Sequence, residues 1–301
     1  MSGMCDNPTL RPEMQEFLEI EGRDRLYQCW NRIWIPTPST KEAFLALQDC
    51  AYSAPSTKPR GLIIAGDADT GKSRTMTAFR EMHQPRIDAE SEYAEHPVIY
   101  MTAPDVPDPV IVLKKILSEV GHPLRYNASP SDLRSHTIMM LKACKVGTVM
   151  IDELHDIQRD SRMSGKLVDF LIFMKNLINE TGRPFVVGGT QVVLDIIGSD
   201  DQIAGRLGTV LKLKPFTISE FAMVLLAFER MLPLRRQSNF RENEALIQSA
   251  YTLTQGYIGR LNYLLEDACK VAIESGEERI TASTIDRVKD RSIVSVGRRT
   301  A

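Results

Sequence analysis

The sequence has no apolar run near the roughly 18 residues that a membrane-spanning helix needs. Between Met1 and Arg11 there is no positive stretch leading into an apolar one, so a secretory leader is not expected and a cytoplasmic protein is. Cysteine is sparse and scattered: Cys5, Cys29, Cys50, Cys144 and Cys269 form no C-x-x-C pair, and their number is odd. That pattern excludes a disulfide framework or a zinc site, and predicts reduced thiols acting as small apolar side chains. The five histidines, His83, His96, His122, His136 and His155, show no ligand spacing. Charge of one sign is missing too. A formal net charge of −2 excludes a broadly basic nucleic-acid coat, although a local basic stripe can hide inside a neutral total. The basic residues Arg279, Arg287, Lys289, Arg291, Arg298 and Arg299 face only Asp286 and Asp290, which makes the C-terminal segment a candidate contact. There is no internal repeat and no low-complexity tract.

What remains is an ordinary globular composition, 43% apolar and 25% charged over 301 residues, enough for about two domains. Residues 1–35 are polar with interruptions at Phe17, Leu18, Tyr27 and Trp30, and read as short helices packing on the body or on a partner. Ile35-Pro36-Thr37-Pro38-Ser39 is extended by its prolines, and Ser39 or Thr40 is expected to cap a helix carrying Phe44, Leu45 and Leu47. Short apolar runs at 61–65, 98–101, 148–151, 184–187 and 210–213 read as buried strands. Helix-length segments lie between them, at about 72–83, 109–120, 131–144 and 166–180. Strands alternating with helices mean a parallel sheet covered on both faces. After Thr217 only helical patterns occur, at about 219–231, 242–254, 260–274 and 282–290. The expected organisation is an N-terminal extension over 1–35, an α/β core over 36–216 and a small all-α domain with tail over 217–301.

Chemistry concentrates at two of the strand ends. Gly66-Asp67-Ala68-Asp69-Thr70-Gly71-Lys72-Ser73 matches G-x-x-x-x-G-K-[ST], the Walker A loop of nucleotide-binding proteins, and it sits between a strand and a helix as that loop requires. Its glycines allow backbone N–H groups to wrap phosphates, and the following helix aims its positive end at them. Lys72 would place a point charge on the β- and γ-phosphates of ATP, and the Ser73 hydroxyl would ligate Mg²⁺, with Arg74 completing the nucleotide-contacting stretch. Asp67 and Asp69 are acids close to those phosphates, which suits outward-pointing positions. Val149-Met150-Ile151 delivers Asp152 and Glu153 to the carboxyl edge of the sheet, where Asp152 would hold Mg²⁺ and Glu153 would serve as general base for the attacking water. Thr190 follows the fourth strand, which should lie beside the Walker A strand. A polar side chain there can orient water or touch the γ-phosphate, with Gln191 as a substitute.

With these residues placed, the chain resembles the AAA+ P-loop ATPases, and within them the TniB/TnsC transposition regulators related to the phage protein MuB. The marks are Trp34-Ile35-Pro36-Thr37-Pro38, Leu62-Ile63-Ile64-Ala65-Gly66-Asp67, Ile151-Asp152-Glu153-Leu154-His155 and Asp201-Gln202-Ile203-Ala204-Gly205-Arg206-Leu207. The resemblance implies a five-stranded parallel core followed by a helical lid. It also implies an adenine pocket at Ile35 and Pro36, sensor 1 at Thr190, and an arginine finger at Arg206 in the helix before the fifth strand. Arg260, in Gly256-Tyr257-Ile258-Gly259-Arg260-Leu261, matches the sensor 2 position. It further implies an ATPase that assembles on duplex DNA as a ring or filament of identical subunits, working with a DDE transposase and a target-selecting protein. Lys114, Lys115, Arg125 and Arg134 are the candidate phosphate contacts.

Two other classes share these residues. A replication initiator or helicase loader has the same core and lid but usually carries a DNA-reading domain after the lid. A nucleotide-binding switch with negligible turnover would not need the base at Glu153.

Overall fold

Why the short apolar runs become strands is visible in their burial: each residue of the first, third and fourth is covered on both sides. A computed structural model of the protein describes residues 7–87, 91–123, 128–154, 164–198 and 200–297. Two short helices, α1 (Pro12–Gln15) and α2 (Asp24–Cys29), open the chain, each followed by a 3-10 turn. Then come α3 (Pro38–Tyr52), β1 (Leu62–Ala65), α4 (Lys72–Met82), β2 (Val98–Thr102), α5 (Pro109–Glu119), α6 (Pro130–Ala143) and β3 (Thr148–Asp152). They are followed by α7 (Ser164–Thr181), β4 (Phe185–Gly189), α8 (Gln191–Gly198), α9 (Asp201–Ala204) and β5 (Thr209–Lys212). Helices α10 (Ile218–Glu229), α11 (Glu244–Thr254), α12 (Ile258–Glu274) and α13 (Ala282–Gly297) close it. The helix expected to be capped by Ser39 or Thr40 instead begins at Pro38, whose fixed φ suits the first helical position, so both residues lie inside its first turn.

Contacts divide the chain into two units. One is Pro38–Leu213; the other joins Met1–Thr37 to Lys214–Ala301. In the first unit all five strands pair in parallel, in the order β2-β3-β4-β1-β5. Alternate residues serve opposite faces, as the two-residue period of a strand dictates. Leu62, Ile64, Val98, Met150 and Val186 meet Ala43, Leu47, Met76 and Phe79 of α3 and α4. Ile63, Ala65, Ile99, Val149, Ile151, Phe185 and Val187 meet the helices of the opposite face, through side chains such as Val112, Leu141, Phe170, Leu177 and Val193. The five strands and the main helices between them lie within a residue or two of the expected positions. The wider departure is after β4, where α8 and α9 form a helical connection that the sequence reading left undivided.

In the other unit the N-terminal segment and the C-terminal helices share one core. Leu10, Met14, Phe17, Leu18, Leu26, Cys29 and Ile33 pack with Phe221, Leu225, Leu261, Leu265 and Cys269. Arg25 is fully buried there and is held by Glu278, by the carbonyl of Pro233 and by the carbonyl of Ile20. Helix α10 starts with a reciprocal capping box, Thr217 with Glu220. No helix among the described residues is long and apolar enough to cross a membrane.

Candidate functional site

The loop from Gly66 to Ser73 connects β1 to α4 and is shaped by two backbone demands. Gly71, the N-cap of α4, has φ +89°, a left-handed value that glycine adopts without steric cost. It caps nothing with a side chain, so the N–H groups of the first turn of α4, which have no intrahelical partner, remain for an anion. Gly66 is pinned to the neighbouring strand by its N–H bond to the Gly189 carbonyl (3.1 Å). The Thr70 hydroxyl closes the loop on the Asp67 carbonyl at 2.8 Å. Lys72 is almost fully buried and donates to the carbonyls of Gly66 (2.9 Å) and Asp67 (2.7 Å). Burial lowers its pKa, while the acids Glu153, Asp152, Asp67 and Asp69 act to keep the charge. Asp67, Ala68 and Asp69 are exposed, so the two loop acids stand on the solvent side, as outward positions require. Arg74 points outward to Glu81 at 3.4 Å.

Strand β3 ends in the second half of the site. The Ser73 hydroxyl donates to Glu153 Oε1 at 3.3 Å, joining positions 80 residues apart. Glu153 has φ +57°, a left-handed conformation uncommon for a side chain larger than glycine. Asp152 is fully buried. Its Oδ1 accepts the Glu153 N–H (2.9 Å) and its Oδ2 accepts the Tyr100 hydroxyl (3.1 Å). Burial first, and then the charge of Asp152, push the Tyr100 phenol up to about 12. Against the same carboxylate lies Gly188 of β4, where a Cβ would sit 2.4 Å from Asp152 Oδ1 and 2.8 Å from Met76 Sδ. Sequence reasoning missed Tyr100 and Gly188. Neither belongs to a motif, and each reaches the site only through strand pairing.

The remaining expected residues separate by location. Strand β4 does lie beside β1, with Ala65 in register with Gly189, and this sets Thr190 at the same sheet edge as the loop, where its carbonyl opens α8. Gln191 side-chain groups pair with Asp195 and Lys212. Arg206 is not in a helix: α9 ends at Ala204, and Arg206 lies in the turn that follows Gly205. Gly205 has poor helix propensity, and the turn is fixed instead by the Gly61 N–H donating to the Arg206 carbonyl at 2.7 Å. Its side chain donates to Asn179 at 2.6 Å. The turn therefore sits at the amino end of β1, the end away from the Gly66–Ser73 loop.

Ile35, Pro36 and Arg260 belong to the other unit. Ile35 packs on its apolar core, Pro36 is exposed, and Arg260 in the first turn of α12 lies 4.3 Å over the Tyr257 ring and donates to Gln255. Among the candidate phosphate contacts, Arg134 is engaged with Glu180 by two hydrogen bonds, Lys115 donates to the Thr102 carbonyl, and Lys114 is exposed. Arg125, His155, Arg298 and Arg299 lie outside the described residues.

The structure brings together a left-handed glycine before an uncapped helix, a buried lysine, a hydroxyl and a carboxylate, the group types that phosphates and a divalent cation call for. The model of the Bacterial TniB protein family matches residues 25–217. The chain belongs to the TniB family. Its fold is that of AAA+ P-loop ATPases, an architecture it shares with several solved proteins. The ORC2 protein of Aeropyrum pernix in its ADP form superposes with a TM-score of 0.60 at 15% identity, over 88% of this chain and 71% of that one. The ORC1 protein of the same organism, solved in complex with DNA, gives 0.58 at 15% identity, over 84% of this chain and 64% of that one. The Cdc6p protein of Pyrobaculum aerophilum gives 0.56 at 13% identity, over 84% and 67%. This TniB chain therefore spans just under two thirds of the length of the ORC1 protein. No curated protein matches it.

Proposed function

We propose that this TniB protein is an ATP-hydrolysing transposition regulator that assembles on duplex DNA, marks a target site and recruits or activates a DDE transposase. The observation that carries the nucleotide half of this reading is the Ser73–Glu153 hydrogen bond, which joins the loop to the end of β3. The donor set fits Mg²⁺. A hydroxyl at Ser73 and a carboxylate at Asp152 are hard oxygen ligands, and Mg²⁺ is typically held by one or two protein oxygens together with phosphates and waters. When bound, Mg²⁺ would neutralise charge on the phosphoryl oxygens.

The chain's own residues supply the rest. The N–H groups of the Gly66–Ser73 loop and of the first turn of α4 cradle the phosphates of ATP, and Lys72 places its ammonium against them. Glu153 accepts a proton from the water that attacks the γ-phosphorus, while the bond to the bridging oxygen breaks and ADP leaves with phosphate. Thr190 orients that water. Arg206 acts on a neighbouring subunit, which suits a turn at the end of the sheet away from its own loop. The family resemblance further assigns Ile35 and Pro36 to the adenine and Arg260 to the γ-phosphate. Lys114, Lys115, Arg125 and Arg134 serve DNA phosphates, so binding is sequence-tolerant and weakens with salt. ATP between subunits orders the assembly, and hydrolysis releases it.

Negative-stain microscopy with random duplex DNA tests this reading. Rings or filaments are expected with a non-hydrolysable ATP analogue and DNA together, and not with ADP or without DNA. Arg206→Ala should break the assembly or its turnover. Monomers under every condition, at low salt, would overturn the assembly reading and favour a loader or a simple nucleotide switch.

A further inference from the structure

Asp152 is held by donors on two separate elements. One is the N–H of the next residue, Glu153, on Oδ1. The other is the hydroxyl of Tyr100, on Oδ2, from the adjacent strand. Tyr100 pairs with Met150 across β2 and β3. Met150 and Asp152 share a face of their strand, so the phenol reaches one step along to the carboxylate. A carboxylate offers about four lone-pair sites. The two donors occupy one on each oxygen and leave the others for a ligand. The backbone donor moves with Asp152 itself. The tyrosine is the donor that ties the carboxylate plane to a different strand, while Gly188 leaves the opposite side open for that plane.

We infer that Tyr100 is a positioning residue for the divalent cation, its hydroxyl holding the Asp152 carboxylate so that the remaining lone pairs face the metal. This rests on the reading of Ser73 and Asp152 as the Mg²⁺ ligands. The ring of Tyr100 packs with the α3–α4 face of the sheet, so its apolar part has a separate structural duty. The hydroxyl alone carries the inference, and Tyr100→Phe removes it while keeping the ring, at the cost of a second side-chain hydrogen bond, with Thr77.

The test uses the full chain, with Mn²⁺ as the probe. Mn²⁺ affinity in the presence of a non-hydrolysable ATP analogue is read by electron paramagnetic resonance. Binding of a fluorescent nucleotide in EDTA is read alongside. Loss of a hydrogen-bond partner to a metal ligand typically costs 10- to 100-fold in metal affinity. Tyr100→Phe is therefore expected to weaken Mn²⁺ binding about tenfold, with nucleotide binding in EDTA unchanged and the melting temperature lowered by only a few degrees, the cost of an unmade buried hydrogen bond. In an Asp152→Ala background the same substitution should have no further effect on Mn²⁺, because the hydroxyl acts through that carboxylate. Unchanged Mn²⁺ affinity in Tyr100→Phe, or an equal loss in the Asp152→Ala background, would overturn the inference and leave the nucleotide site standing. A wild-type protein whose nucleotide binding does not respond to Mn²⁺ would overturn the metal-site reading itself.

Discussion

Arg25 and Glu278, 253 positions apart, form an ion pair at 2.7 Å with the guanidinium fully buried. Glu278 also binds Arg235, through its side chain at 3.5 Å and its backbone N–H at 3.2 Å, and Arg235 reaches the Leu18 carbonyl and Glu21. This network clasps the N-terminal segment to the C-terminal helices. Leu10, Met14, Phe17, Leu18, Leu26, Cys29 and Ile33 bring apolar surface to the same union.

Removing one partner of a buried pair costs more than the pair contributes, because a desolvated charge is left behind. Glu278→Ala is expected to destabilise the protein by about 3 kcal/mol, read from urea denaturation. The double change Arg25→Met with Glu278→Leu should cost less than Glu278→Ala alone. A single-variant loss below about 1 kcal/mol, the size typical of an exposed pair, would count against a structural role for the clasp.

Gly188→Ala places a methyl group 2.4 Å from Asp152 Oδ1 and 2.8 Å from Met76 Sδ. Overpacking of this kind costs about 1–3 kcal/mol. The strand is held by pairing on both sides, so the carboxylate is the group expected to shift. The expected signature is weakened Mg²⁺ dependence of nucleotide binding together with a lower melting temperature. Unchanged values for both would show that the close approach is not a constraint.

Glu153→Gln keeps the side-chain shape and an acceptor for Ser73 but removes the base. Nucleotide binding is expected to persist, while turnover falls about a hundredfold or more. Equal phosphate release by the two proteins would point to a switch whose hydrolysis has no role.

Four thiols, Cys29, Cys50, Cys144 and Cys269, are buried and unpaired. Desolvation pushes Cys29 and Cys50 up to about 11 and raises Cys144 and Cys269 as well. A thiol nucleophile must first ionise. At pH 8 the native protein should therefore yield at most one fast-reacting thiol to a disulfide reagent, and all five after denaturation. The sign for stability follows. These groups stay neutral in the folded chain where unfolded thiols ionise, so their contribution is complete below about pH 8.5. It declines as pH rises from there toward the folded value of about 11. Two or more thiols reacting within minutes at pH 8 would contradict the burial of this set.

The five strands, most of the helices and the Gly66–Ser73 loop were legible in the amino-acid order, because these are local matters. An apolar run buried on both faces, a glycine that must take a positive φ, and a lysine and hydroxyl at fixed offsets are all written within a few residues. The amino-acid order also placed Asp152 and Glu153 at a strand end, since a strand delivers whatever follows it to the sheet edge. What those residues meet depends on contacts between distant segments. Tyr100 and Gly188 reach Asp152 only because β2 and β4 flank β3, a strand order that apolar period does not encode. Arg206 left its expected helix because a backbone bond to Gly61 holds its turn. The N-terminal residues became part of the helical unit because Glu278, 253 positions from Arg25, and a shared apolar core offered burial that no nearby segment could.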